Sequence, residues 1–595
     1  MKAILIFDSV NDLLYAKWDD CFIKRMKNFN GQEIEENISD NVNVSQLLAP
    51  IITSQRVMAA QFGNTYSSIQ CKDNTMIVFD EWLDHVFMIV SEDKLDDAHR
   101  ELLDCKTLVQ HICGQNINLL HSPVYKQWLS ELLDSRTKGD SVPGANGVIG
   151  ESGATTAALS ALKSAMKDIK LPYQHYHLML FVGDKLLALY SSRGSEDLSP
   201  PDIILLSIQC IAAQEYWKDV DVEENDDNSV ILPWLSKENS AIVNLCAGPS
   251  YSPCAPHSMH IAEVAPRIVF AVVVDMDMRE VGIAVHMSNQ ILSNLRRLLL
   301  QRNLDVLPST LDNLEASLKK TTDALRKNKA NANLCARLTT RMLELRKSCT
   351  TTTPLTPETT ATAMHTALEA VVEQLKPDIP SLKMDQPLKD LKGILGPYVE
   401  FLRVKAMRYF SLGSYPFKYI IFQWMSVLLQ SIISLNVGWM CTGETDVSCS
   451  LTLHKYVEEF PGLIHFIYVD RTTGRFLAPD MADCADMLSP DMVRRAVWRA
   501  LGVQREGYCA ATWRRGALHA CAVLWWERRA APARPARAQL LEQAFPNDTQ
   551  GVNIKELICI HLGLLPASTA VQQARRLAHT VHELADNPAV AAELL

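Results

Sequence analysis

Leu463 to Val469 reads Leu-Ile-His-Phe-Ile-Tyr-Val, with only His465 interrupting its aliphatic and aromatic character. A run so short and so uniformly apolar cannot alternate a wet face with a dry one, so it predicts a strand covered on both sides. Pro461-Gly462 opens it. Asp470-Arg471-Thr472-Thr473-Gly474 closes it with turn formers, and Gly474 is expected to take the positive φ that lets Arg475-Phe476 return as the second strand of a hairpin. Pro461, Gly462, Tyr468, Asp470 and Gly474 are thus structural residues of a sheet domain. None of them points to catalysis.

The 595 residues leave room for several such domains. A net charge of −10 opposes broad phosphate binding, so nucleic acid is not expected as a partner. The fifteen cysteines contain no C-x-x-C pair, and an odd number closes no disulfide framework. They are expected to be reduced, cytosolic and mostly packed. Met1 to Phe7 meets Asp8 too early to hold a signal-peptide core and reads as a first strand.

Residues 1–137 order as two strands (Ala3 to Asp8 and Leu13 to Trp18), a polar acidic loop, an apolar helix, three strands (Tyr66 to Cys71, Asn74 to Asp80, His85 to Ser91) and two helices (Ala98 to Cys113, Pro123 to Leu133). In the apolar helix Leu47, Leu48, Ile51, Ile52, Val57 and Met58 make a stripe, Ser45 is a cap candidate, and Pro50 is tolerable only near the first turn. The order ββ-α-βββ-αα is that of a longin domain, a sheet with helices on its two faces. Residues 138–156, rich in Gly, Ser, Ala and Thr, read as a linker.

A second sheet domain, 157–330, starts with a hairpin around Gly183-Asp184 and the helix Pro200 to Trp217, followed by an acidic run, Asp219 to Asn228. Strands Arg267 to Val274 and Val281 to Val285 and helices Ser288 to Asn303 and Pro308 to Lys327 complete the expectation. Residues 331–410 read as a moderately flexible helical connector. Residues 452–595 form the third domain: the opening hairpin, helix Pro490 to Leu501, strands Tyr508 to Arg514 and Ala517 to Glu527, and closing helices Ile554 to Leu564 and Ser568 to Asp586. Between them lies an apolar insert, 411–451, in which Tyr419 to Gly443 carries no charge. Three readings stand for it: a membrane span, an inserted helix that packs or lies on a membrane, or an untrimmed intron.

Residues able to carry chemistry do not assemble into a reaction site. Gly150-Glu151-Ser152-Gly153-Ala154 lacks the lysine of a phosphate loop: Thr155-Thr156 stand where the loop would end, and the next lysine is Lys163. Cys246, Cys254, His257 and His260 match no standard zinc spacing, so packing is the expectation. His582-Glu583 lacks a second histidine, and Ser152 is not in a nucleophile elbow. No cofactor and no bond-making activity are expected. The arginines 528, 529, 534 and 537 form a local cationic segment, read as a solvated loop or a contact for anionic lipid.

The hairpin, E-x-F-P-G-L-x-H-F-I-Y-V-D-R-T-T-G, closely resembles the last domain of the Hermansky-Pudlak syndrome 1 protein family. Ile560-His561-Leu562 and Val571 to Ala578 resemble that family's closing helices. Leu47 to Ile52, Leu187 to Ser192, Cys254 to Met259 and Phe401 to Lys405 fall in its order. The resemblance implies an α/β (α+β) fold of three longin-like domains, each a mostly antiparallel sheet packed with helices, joined by helical and flexible connectors. It further implies one subunit of a guanine-nucleotide exchange factor for Rab GTPases of the thirty-two and thirty-eight subfamily; the alternative is a non-catalytic trafficking scaffold or tether that docks partners without promoting nucleotide release. The implied partner is the Hermansky-Pudlak syndrome 4 protein homologue in an obligate heterodimer, recruited from the cytoplasm to endosomal or lysosome-related organelle membranes. Leu47, Leu48, Ile51, Ile52 and Met58 are the partner-binding candidates.

Overall fold

The computed structural model describes residues 1–8, 10–29, 40–62, 66–139, 146–147, 152–168, 175–219, 240–246, 254–275, 279–300, 305–326, 331–350, 356–375, 385–402, 460–478, 488–528, 531–535 and 552–586. Its strands are β1 (Lys2–Phe7), β2 (Leu13–Trp18), β3 (Ser68–Gln70), β4 (Met76–Trp82), β5 (His85–Ser91), β6 (Asn146–Gly147), β7 (Tyr176–Val182), β8 (Lys185–Ser191), β9 (Ser240–Leu245), β10 (Ala255–Ala265), β11 (Ile268–Asp275), β12 (Leu463–Asp470), β13 (Arg475–Leu477), β14 (Ala510–Arg515), β15 (Leu518–Arg528), β16 (Ala531–Pro535) and β17 (Val552–Leu562). They form three sheets, ordered β2-β1-β5-β4-β3, β8-β7-β11-β10-β9 and β14-β15-β17-β12-β13-β6, with β16 added beside β15. If each set of five is counted from its own first strand, all three share the order 2-1-5-4-3, in which the last strand inserts beside the first. The fold is mixed α/β, and the five shared strands of each sheet follow the longin order.

In the first sheet, β1 lies between β2 and β5, with Leu5 opposite Met88. Alternation sends Ala3, Leu5 and Phe7 to one face, where they meet Phe22, Val44, Leu48 and Ile52. Those partners come from α1 (Asp20–Phe29) and α2 (Asp40–Phe62). Helix α3 (Leu95–Cys113) packs against β4 and β5 and buries Leu102, Cys105, Leu108 and Ile112, and α4 (Pro123–Gly139) follows it. The acidic loop expected after β2 is therefore corrected in its first part. Asp20 to Phe29 is amphipathic, and Phe22, Ile23 and Met26 supply the apolar stripe. Helix α2 also begins earlier than Ser45 suggested, which places Pro50 in its interior. The proline is exposed, so its ring meets solvent rather than the sheet.

Two compact units divide the chain: 1–133 with 231–259 and 273–381, and 134–230 with 260–272 and 382–595. In the first, α7 (Arg279–Leu300), α8 (Leu307–Leu325), α9 (Ala332–Thr350) and α10 (Pro357–Leu375) share one core that runs from Val281 through Leu314 and Leu345 to Val371. Two expectations change here. Val281 to Val285 opens α7 instead of forming a strand, because Val281, Val285, Leu292 and Leu295 make one buried helical stripe that outweighs the β-branched composition. The part of the connector that forms α9 and α10 is packed against α7 and α8, not loosely strung between domains.

In the second unit, the stretch read as a linker contains β6 and the start of α5 (Ser152–Asp168), whose Ala154, Ala158, Ala161, Leu162 and Ala165 are buried. Small side chains that suggested a flexible tether there let a helix pack closely. Helix α6 (Pro200–Asp219) matches the apolar helix expected after the β7–β8 hairpin. Strand β9 and residues 255–259 of β10, which belong to the first unit, and the rest of β10 add to the strands expected from the sequence.

The third sheet carries a helix on each face. On one side Ile464, Ile467, Val469, Ala520, Ala522 and Ile558 meet Val493, Ala496, Val497 and Ala500 of α12 (Pro490–Arg505). On the other, Leu463, Phe466, Tyr468, Cys521 and Leu557 meet Ala570, Ala574 and Leu577 of α13 (Ala567–Asp586). Helix α11 (Asp385–Leu395) packs against α5. Ile554 to Leu564, expected as a closing helix, is β17. Its continuous apolar run fits either a buried helix or a central strand, and pairing with both β12 and β15 decides it.

Candidate interaction surfaces

The third-domain hairpin is built as its turn chemistry requires. Asp470 and Arg475 are paired across it, and Gly474 has φ 64°. Asp470 Oδ1 accepts the amides of Thr472 at 2.9 Å and Thr473 at 3.2 Å, while Oδ2 meets Lys555 Nζ at 2.7 Å. Gly462 has φ 83°, which turns the chain into β12. A Cβ on Gly474 would collide with the Pro200 ring, so the glycine serves a close approach to α6 as well as the turn. Tyr468 is buried, its ring 6.1 Å from that of Trp525.

Beside this loop lies an ion pair that sequence reading missed. Glu556, fully buried in β17, accepts Arg471 Nε at 2.7 Å and Gln504 Nε2 at 2.6 Å. The signal was a carboxylate inside an apolar run, which a buried strand tolerates only with a charged partner.

The partner-binding candidates on α2 separate by face. Leu48 and Ile52 are buried in the core of the first sheet, and Ile51 packs against it. Leu47 is half-buried, and Met58 is exposed together with Val57. Only the end of the stripe thus offers an apolar surface to solvent. Close by, Arg56 donates to the carbonyls of Asp8 and, at 3.2 Å, Asp84. It clasps two turns in which Asn11, Leu83 and Asp84 take positive φ. Burial pushes the Asp84 carboxyl up and the His85 imidazole down.

Groups suited to chemistry are mostly sealed. His257 contacts Asp275 at 2.6 Å and the Ala255 carbonyl at 2.8 Å inside the core. Cys246 and Cys254 form a disulfide, which corrects the expectation that all cysteines are reduced: the ends of β9 and β10 bring the two residues together. Burial pushes the Cys521 thiol up to about 12, away from nucleophilic thiolate character. Among the described residues no group of three His, Cys, Asp or Glu side chains could hold a metal ion. No described helix is long and apolar enough to cross a membrane. Tyr419 to Gly443, Asp219 to Asn228 and the insert 411–451 lie outside the described residues, save Asp219 itself at the end of α6.

Among solved structures, "Structure of an RNA-binding Light-Oxygen-Voltage Receptor" aligns at 12% identity over 69% of this chain and 98% of its own. Its TM-score of 0.09 is too low to carry an argument. The family comparisons agree with the strand order. Residues 2–135 match the first longin domain of FUZ, MON1 and HPS1, and residues 462–585 match the third. Both matched regions carry the longin strand order, so residues 2–135 and 462–585 are longin domains similar to the first and third of FUZ, MON1 and HPS1.

Proposed function

We propose that the chain is one subunit of a heterodimeric guanine-nucleotide exchange factor for Rab GTPases, acting in vesicle trafficking and the biogenesis of lysosome-related organelles. The observation that carries this reading is the match of both terminal regions to the first and third longin domains of one family, with the same strand order in all three sheets. Exchange requires no bond to be made. The factor must bind nucleotide-free GTPase more tightly than the nucleotide-bound form, and that difference alone loosens the nucleotide site. Rigid sheets that present fixed surfaces suit such a task.

The proposed partners are the Hermansky-Pudlak syndrome 4 protein homologue and a Rab of the thirty-two and thirty-eight subfamily. The test is release of a fluorescent guanine nucleotide from the purified Rab in the presence of the purified heterodimer. The expected outcome is release that accelerates with heterodimer concentration. Binding that leaves release at its intrinsic rate would make the chain a tether instead.

A further inference from the structure

The third domain is slightly basic, with fifteen Lys and Arg against thirteen Asp and Glu in residues 460–595, although the whole chain is acidic. Residues 460–595 contain fourteen arginines and one lysine. Of its described acids, Glu556 pairs with Arg471 and Asp470 with Lys555, while Glu506, just after α12, is exposed. Glu527 is buried. The arginines are distributed differently. Arg495 and Arg499, four residues apart on α12, are exposed on the face turned away from the buried Val493, Ala496, Val497 and Ala500.

The strand after this helix brings a third arginine to the same face. Tyr508 N donates to the Val503 carbonyl at 3.3 Å, so the chain reverses at the end of α12 and β14 starts beside it. Trp513 packs into the same core as α12, and Arg515, two residues on, shares its side of the sheet. Five residues of strand at about 3.3 Å each cover roughly the length of eight to eleven residues of helix at about 1.5 Å. That brings Arg515 level with the Met492 to Arg495 end of α12. Arg515 is exposed, and Met492 and Tyr508 are 46% and 59% exposed at opposite ends of the patch. Arg534 stands opposite Trp526 farther along the same sheet edge.

We propose that the α12–β14 face of the third domain is a docking surface for an anionic membrane, with Arg495, Arg499 and Arg515 engaging lipid phosphates and Met492 and Tyr508 seating in the headgroup layer. Charge complementarity selects the occupant. A guanidinium fork matches a phosphate in two-point geometry and is less strongly hydrated than an ammonium, which suits an interface where water is partly excluded. Exposed methionine and tyrosine flanking the charges favour a lipid interface over a purely aqueous acidic peptide. Each arginine near such a surface strengthens binding by about five-fold, so the patch is a reversible contact and not an anchor.

The test is co-flotation of the full-length chain, in its heterodimer, with phosphatidylcholine vesicles with and without phosphatidylserine or a phosphoinositide. The expected result is binding to the anionic vesicles that falls with salt and drops about a hundred-fold in the triple variant Arg495→Glu, Arg499→Glu, Arg515→Glu. A control variant at the exposed Arg337 of α9 keeps wild-type binding. Soluble inositol phosphate at matched phosphate concentration should not displace the protein; displacement would assign the patch to a free phosphate ligand and overturn the proposal. Unchanged flotation of the triple variant would also overturn it. A triple variant that loses nucleotide release on soluble Rab without vesicles would assign the face to a protein partner, again against the proposal. Exchange on soluble Rab at the wild-type rate, with flotation lost, separates this membrane contact from the exchange reading itself.

Discussion

At the scale of single residues, the third-domain hairpin shows how little room its positions leave. Gly474 combines a positive φ with an approach to Pro200 that any Cβ would violate. Gly474→Ala is therefore expected to lower stability by about 1–3 kcal/mol, read as a lower midpoint in thermal unfolding. Arg471→Ala should cost more, about 3–5 kcal/mol, because it strands the buried Glu556 carboxylate beside only Gln504; chemical denaturation of the variant measures it. Four buried histidines set a pH dependence. Burial lowers His111, His286 and His561 to about 4 and His465 to about 3, against an ordinary value near 6.5. A histidine whose folded value is depressed takes up its proton on unfolding, so its neutral form favours the native state fully above about pH 6.5. That stability is lost progressively as pH falls from about 6.5 toward 4. Unfolding midpoints measured across this window should decline, and His111→Gln should flatten the decline.

At the scale of elements, what could be read from the chain follows from periodicity. Leu463 to Val469 was readable because its length allows only a strand when turn formers bound it on both sides. Leu557 to Leu562 carries the same kind of run, yet its spacing from Ile554 also satisfies a helix, and only its two neighbours in the sheet remove the ambiguity. Val281 to Val285 failed in the opposite direction, since β-branched residues masked a helical stripe. The partner candidates on α2 illustrate a further limit. An apolar stripe announces a buried face, but whether a sheet or a partner buries it depends on strands distant in sequence, and here Leu48 and Ile52 face the sheet. An element-scale prediction follows for the helices after β11. Leu345 and Leu368 are fully buried in the core shared by α7 to α10, so Leu368→Asp should expose that bundle to limited proteolysis while the third domain remains protected.

For the whole molecule, one strand order serves three sheets that differ widely in sequence, and the chain's differences lie in what is added to that plan. The third sheet acquires β6 beside β13 and β16 beside β15, while the first remains at five strands. The uncharged run from Tyr419 to Gly443 lies outside the described residues. Its Gln423, Ser426, Gln430, Ser431, Ser434 and Asn436 would each need a partner at bilayer depth. Deleting 419–443 is therefore expected to leave heterodimer formation and nucleotide release near wild type and at most to weaken membrane recruitment. Loss of exchange on soluble Rab, or failure of alkaline carbonate to extract the intact protein, would count against this.

The shared strand order also bears on synthesis. In the first sheet Lys2 pairs with Ser91, and in the third Leu463 pairs with His561, so an opening strand leaves the ribosome long before the strand that completes its pairing. Until then its backbone amides and carbonyls have an unfilled side, the condition under which nascent chains recruit chaperones or aggregate. A premature stop between β15 and β17 would keep the third domain in that state permanently, with the edges of β12 and β15 both open. Such truncated products should be cleared by quality control rather than persist as partly working subunits, however much of the chain precedes the stop.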